Sequence, residues 1–157
     1  MMPCYGVCMT VTSTITIAAP IERVWELFTD FPNAAERIQG ISKMEFLEKD
    51  GRAEVGMKWR ETRVMFGKEA TEVMWITDLQ PNRSYVVEAE SHGVHYTSTY
   101  TFTPTNGGTQ VTLTFGGEPQ TFMARVMGAI MAPLMSGSIK KMLLADMEDL
   151  KKVAEAT

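Results

Sequence analysis

The hydrophobic positions of this chain change period twice. Over residues 10–18 (TVTSTITIA), Val11, Ile15 and Ile17 alternate with Thr and Ser, the period of a strand with one wet face. Ala19-Pro20 stops it, and Pro20 suits the first turn of a helix, where its missing N–H costs nothing. Ile21, Val24, Trp25 and Phe28 then share one helical face, predicting an amphipathic helix over 20–29 that ends at Pro32. A second short helix is expected over 33–38, closed by Gly40. From Ile41 the period returns to two, with strands expected over 42–48, 57–65, 68–77, 84–90, 94–103 and 110–115. Turn chemistry divides them: Lys49-Asp50-Gly51, Phe66-Gly67, Gln80-Pro81-Asn82, His92-Gly93 and Thr105-Asn106-Gly107-Gly108. Gly116-Gly117 reads as a further turn. Beyond Pro119 the helical period resumes to about residue 153. Phe122, Val126, Ile130 and Leu134 recur at four and Leu143, Met147 and Leu150 continue, while Asp146, Glu148 and Asp149 are expected on a solvated face. Pro133 predicts a kink or break over 131–138.

Connections this short exclude parallel neighbours, which need crossovers of about a dozen residues. The order is therefore α+β: a strand, two short helices, six more strands in an antiparallel meander, and one long C-terminal helix. A sheet with one solvated face must cover the other. The long helix is the only element large enough, and sheet twist curves the sheet round it. A gap between the two is a natural small-molecule cavity.

The opening TSTITIAAPIERVWELFTDFPN resembles the start of the START-like, helix-grip (SRPBCC) superfamily: strand one, the Ala-Pro-Ile-Glu-Arg-Val-Trp helix start and the Asp30-Phe31-Pro32 exit. Val55-Gly56, Asp78-Leu79-Gln80-Pro81 and Gly107-Gly108-Thr109-Gln110-Val111-Thr112 extend the resemblance over residues 10–153. Its nearest branch looks like the polyketide cyclase/dehydrase and lipid-transport group. The resemblance implies a seven-stranded antiparallel sheet curved around the C-terminal helix, with two short helices between strands one and two. Many relatives carry Trp where this chain has Arg37-Ile38, and no catalytic motif of a particular enzyme branch is matched.

Composition narrows the setting without naming a job. The chain has 157 residues, the size of one domain, with residues 1–9 expected as a loose leader and 10–157 as the domain. A net charge of −4 gives the whole chain no electrostatic footprint for nucleic acid or an anionic membrane. No apolar run is expected to reach the roughly 20 residues of a membrane span. Cys4, Cys8, His92 and His95 match no zinc spacing, so neither a metal nor a cofactor is expected. Two Cys without a framework, and no secretory signal, read as cytoplasmic.

Chemistry concentrates in three places. Met123, Met127, Met131 and Met135 form an i, i+4 stripe beside the Phe122 stripe, a soft wall for a cavity or a contact face. In the third strand, Met57, Trp59, Glu61 and Arg63 share a face expected to point inward. A two-residue turn at Phe66-Gly67 sets Trp59 against Met74, Glu61 against Glu72 and Arg63 against Ala70. A three-residue loop slips the register, turns Val73 and Trp75 inward and brings Arg63 to Glu69. The first is preferred because Met74 and Ile76 then extend the apolar face, and it makes Glu61 and Glu72 weak catalytic candidates as a carboxylate pair with divergent pKa values. Tyr96 and Tyr100 on the sixth strand are candidate ligand contacts, with Phe122, Met123, Met127 and Met131 on the helix and Trp59, Glu61, Arg63 and Met74 on the sheet. The expected function is binding or transport of a small hydrophobic or aromatic ligand by a monomer or homodimer. The alternatives are a cofactorless cyclase or dehydratase in the same cavity, and a protein-interaction module through the Met-rich helix.

Overall fold

The computed structural model describes residues 9–65 and 67–156, so the expected leader lies almost wholly outside the described residues. Strand β1 (Met9–Ile17) leads to helix α1 (Ile21–Phe28), a 3-10 turn (Phe31–Asn33) and α2 (Ala34–Arg37). Then come β2 (Ile41–Glu48), β3 (Lys58–Met65), β4 (Lys68–Gln80), β5 (Ser84–Ser91), β6 (Val94–Thr105), β7 (Gly108–Pro119) and α3 (Phe122–Glu155). All pairings are antiparallel, in the order β1-β7-β6-β5-β4-β3-β2. The chain thus closes its first strand onto its last, and register shifts in β2 and between Ile76 and Asp78 help the sheet bend. This is the helix-grip arrangement, α+β, with seven strands round α3.

Local chemistry explains the short helices. The Thr29 hydroxyl donates to the Trp25 carbonyl at 2.7 Å as α1 ends. The Asp30 carboxylate then accepts from Asn33 Nδ2 at 3.0 Å and from Arg37 Nη1 at 2.7 Å. Arg37 ties α2 back to the α1 exit, and Ile38 after it is buried. That brings Phe28 and Phe31 onto the sheet. Phe31 lies against Trp59 at 4.7 Å and edge-on to Tyr85 at 5.8 Å, an aromatic floor at one end of the core.

Three strands are longer than their patterns predict, and β7 runs through Gly116-Gly117 instead of turning there. Gly117 pairs with Tyr96, and a Cβ on it would stand 3.2 Å from the Tyr96 ring, so the missing side chain makes room for that tyrosine. Helix α3 also runs unbroken through Pro133 for 34 residues. Pro133 and Ala129, whose carbonyl loses its partner, are both exposed, so the freed carbonyl lies on the solvent side of the helix.

The ends of α3 are held differently. At its start the Thr121 hydroxyl accepts from the Ala124 amide at 3.1 Å. Gly93, at φ +77, packs so closely that a Cβ would fall 2.9 Å from that hydroxyl oxygen. At its end Arg23 donates to the carbonyls of Val153 and Ala154, both at 3.1 Å, and Glu155 accepts from the Ala18 amide at 3.1 Å. Met147, Leu150 and Ala154 are buried in the main core, whereas most of the first half is exposed.

Candidate functional site

A cavity of about 250 Å³ lies between the concave sheet face and the second half of α3. The β3–β4 hairpin has the register that a two-residue turn gives, Trp59 opposite Met74, Glu61 opposite Glu72 and Arg63 opposite Ala70. The slipped register, with Trp75 inward, is excluded: Trp75 packs on His95, and His95 sits between Glu88 and Glu90. Those residues are on the face opposite Met74 and Tyr96, because successive strand side chains alternate. The walls are apolar, from Phe28, Phe31, Met44, Met74 and Val87 on one side to Met135, Ile139, Met142 and Leu143 on the other. Tyr85 and Tyr100 stack at 4.6 Å in the wall, with the Tyr85 hydroxyl donating to the Phe28 carbonyl at 3.3 Å.

One buried charged cluster interrupts these walls. Arg63 donates from Nη1 to Asp146 Oδ1 at 3.2 Å, its Nη2 stands 2.9 Å from Asp146 Oδ2 in an ion pair, and its Nε donates to Glu61 at 3.3 Å. Burial raises the Glu61 carboxyl above its ordinary range; Arg63 pulls it back and Asp146 pushes it further up. Burial likewise raises Asp146 against the pull of Arg63. Burial works to lower Arg63, but Asp146 and Glu61 outweigh it and hold the guanidinium charged. One cation facing two carboxylates in a low dielectric favours keeping a proton in the cluster. Burial, reinforced by Asp146 and Glu61, keeps the Tyr100 hydroxyl neutral and able to donate. Trp59 is 1% exposed and its Nε1 has no acceptor in hydrogen-bonding geometry.

Asp146 is therefore a cavity residue and not part of the expected solvated face. Its i−3, i+1 and i+4 neighbours Leu143, Met147 and Leu150 carried the signal, since they place it on the inward side of α3. The expected Glu61–Glu72 pair is also rearranged. The two face each other in register, but the charges acting on Glu61 are Arg63 and Asp146, while those acting on Glu72 are His92 and Arg63. Burial raises the Glu72 carboxyl, and His92 and Arg63 oppose the rise. Neither glutamate drives the other's pKa.

Residues 9–155 match the family model described as polyketide cyclase/dehydrase and lipid transport. The chain belongs to that family. Its fold is similar to the di-domain aromatase/cyclase StfQ of the steffimycin biosynthetic pathway, at TM-score 0.80 and 13% identity over 95% of this chain. It covers 52% of StfQ, so this chain spans about half that protein's length. The Zhui aromatase/cyclase from Streptomyces sp. R1128 matches at TM-score 0.76 and 21% identity over 94% of each chain. A START superfamily protein from Mycobacterium smegmatis matches at TM-score 0.75 and 14% identity, over 94% of this chain and 97% of that one. At such identities the likeness establishes the fold. No curated protein sequence matches the chain.

Within this polyketide cyclase/dehydrase-family fold, Trp59, Glu61, Arg63, Met74, Tyr96 and Tyr100 line the main cavity, and so does Glu72. Met131 does not; it lines an adjoining hollow of about 150 Å³ beneath the first half of α3, which shares Tyr96, Met135 and Ile139 with the main cavity. Phe122, Met123 and Met127 reach neither space and point outward, Phe122 77% and Met123 68% exposed. The inward stripe of that half is the small one, Ala124, Gly128 and Ala132. Met135 and Met142, absent from the expected contacts, do reach the cavity. One stretch of α3 is, by length and composition alone, apolar enough to cross a membrane, contrary to the sequence expectation, and only 6% of it is buried. Among the described residues no His, Cys, Asp and Glu side chains group as metal ligands.

Proposed function

We propose that the chain binds a small, largely apolar or aromatic molecule in the cavity under α3, with a polar group of that molecule set against Glu61, Arg63 and Asp146. The carrying observation is an apolar hollow of about 250 Å³ whose lining includes the charged cluster of Glu61, Arg63 and Asp146, largely shielded from solvent. Pockets that hold small molecules are largely hydrophobic with a few placed polar groups, and this one lies just below their usual size of roughly 300–1,000 Å³. The neutral Tyr100 hydroxyl supplies a donor, so a carbonyl or phenol oxygen suits the polar end. The family description, naming cyclase, dehydrase and lipid transport, supports a ligand of this character.

Native mass spectrometry before and after organic extraction tests this, together with Ser98→Phe, which fills the cavity from β6. A co-purified molecule that extraction removes and Ser98→Phe excludes is the expected result. A wild-type chain that is empty and takes up no member of a panel of aromatic ketones and phenols would overturn the proposal.

A second reading, cofactorless cyclase or dehydratase chemistry, is favoured by Glu72. Its carboxyl lines the cavity, and burial raises its pKa toward the range useful in proton transfer. On this reading Glu72→Gln abolishes turnover of a bound poly-ketone while binding persists; turnover unchanged in both Glu72→Gln and Glu61→Gln would eliminate it.

A further inference from the structure

The outward face of the first half of α3 has no partner in the fold. Phe122, Met123, Val126, Met127, Ile130 and Leu134 lie on it, Ile130 58% and Leu134 74% exposed. With Met131 they present on the order of 700 Å² of apolar surface, above the roughly 300–600 Å² of the largest patch on a typical monomer. Its charges have one sign. Between Glu118 and Asp146 the sequence has no acidic residue, only Arg125, Lys140 and Lys141. All three are exposed, and none is in an ion pair among the described residues. Lys140 and Lys141 follow Phe122 and Met123 by 18 residues, five whole turns, so they stand on the same outward lines of the helix.

We infer that this face docks α3 onto an anionic lipid surface, lying in the plane of the headgroups. An apolar helix face with basic flanks is the pattern of an interfacial helix, whose apolar side sinks about 5–10 Å into the headgroup boundary while the cations meet anionic lipid. The helix lies on the bilayer and does not span it. Ala124 is buried at the Gly93 contact and Met147, Leu150 and Ala154 are locked in the core, leaving only the outward face available. A second copy of the chain is the poorer occupant, because the face has no acidic side chain for its own lysines to meet. The net charge of −4 hides this, since the acidic residues lie elsewhere along the chain. The smaller hollow lies beneath the same turns, which places the docking face next to the binding space.

Cosedimentation of the full chain with vesicles tests this, comparing pure phosphatidylcholine with phosphatidylcholine containing phosphatidylglycerol. The chain should partition onto the anionic vesicles and be released in part by high salt. Lys140→Gln with Lys141→Gln should weaken that partitioning roughly 25-fold, about fivefold per lysine, with little change on neutral vesicles. Ile130→Asp, at an exposed position that leaves the circular dichroism unchanged, should abolish binding to both. A wild-type chain that stays in the supernatant overturns the inference, and so do lysine variants that bind as wild type. A dimer by light scattering that Ile130→Asp splits overturns it too, by assigning the face to a second copy. Native mass spectrometry of the cavity ligand is independent of these results.

Discussion

Replacing Arg63 by Met removes the one cation between Glu61 and Asp146 while keeping the stem that lines the cavity. Both carboxylates are then buried without a counter-charge, and breaking such a pair costs about 3–5 kcal/mol when the orphaned charges stay ionised. They need not stay so. Each already has a folded pKa above its unfolded value, because burial outweighs the arginine. The folded state therefore holds extra protons, and the stability they contribute is whole below the ordinary carboxylate pKa and lost as pH rises through the raised value. Without Arg63 both values climb further, and that loss extends to higher pH. For a chain of this length the full cost is a fall in Tm of roughly 6–20 °C at pH 8, and the fall should shrink markedly at pH 5. Thermal melts by circular dichroism at both pH values measure it. Equal losses at pH 5 and pH 8, or a loss under about 1 kcal/mol at pH 8, would show that the cluster is not the coupled buried unit described above. Adding Asp146→Asn should recover part of the pH 8 loss, since it removes one orphaned charge.

Three more expectations follow from single contacts. Gly93→Ala should destabilise, because the residue has φ +77 and its Cβ would crowd the hydroxyl that caps α3; Thr121→Ala should cost about 1 kcal/mol by denaturant melt, and the two losses should be less than additive. Tyr85→Phe should lower stability by about 1–2 kcal/mol, as it orphans the buried Phe28 carbonyl at the end of α1; an unchanged midpoint would mean water replaces the hydroxyl. His95 should titrate above its ordinary value in an NMR pH series, because Glu88 and Glu90 hydrogen-bond its charged ring. Its contribution is present at acid pH and fades as pH rises past that raised value, so Glu88→Gln should bring the titration down.

How much of this was legible residue by residue varied with the physical constraint. The hairpin register was legible as a preference, because Met74 and Ile76 share a strand face and the register that sets Trp59 opposite Met74 turns that apolar face inward. The phase of α3 was not. Its first half has two apolar stripes of near-equal weight, and the larger side chains read as the buried ones. In the fold the small stripe of Ala124, Gly128 and Ala132 turns inward, and Ala124 is buried against Gly93. Asp146 was misplaced for a related reason: an acid on a helix reads as solvated until its cation is known, and Arg63 is 83 residues away in sequence. Pro133 shows the limit of a local rule, since its cost is small where water can reach the freed carbonyl.

The unequal anchoring of α3 gives the helix a mechanical character. With Arg23 gripping the last carbonyls and Glu155 holding the Ala18 amide, one end of the helix is clamped, while the other rests on Gly93 through Thr121 and Ala124. Thirty-four residues at 1.5 Å per residue make an arm about 50 Å long. A tilt of about 5° at the clamp would carry its far end roughly 4 Å, the width of a ring edge, while the clamp itself scarcely moves. Any force applied at Phe122, from a ligand below or a surface above, therefore acts on the space over Tyr96 and Met135 with the longest lever the molecule has.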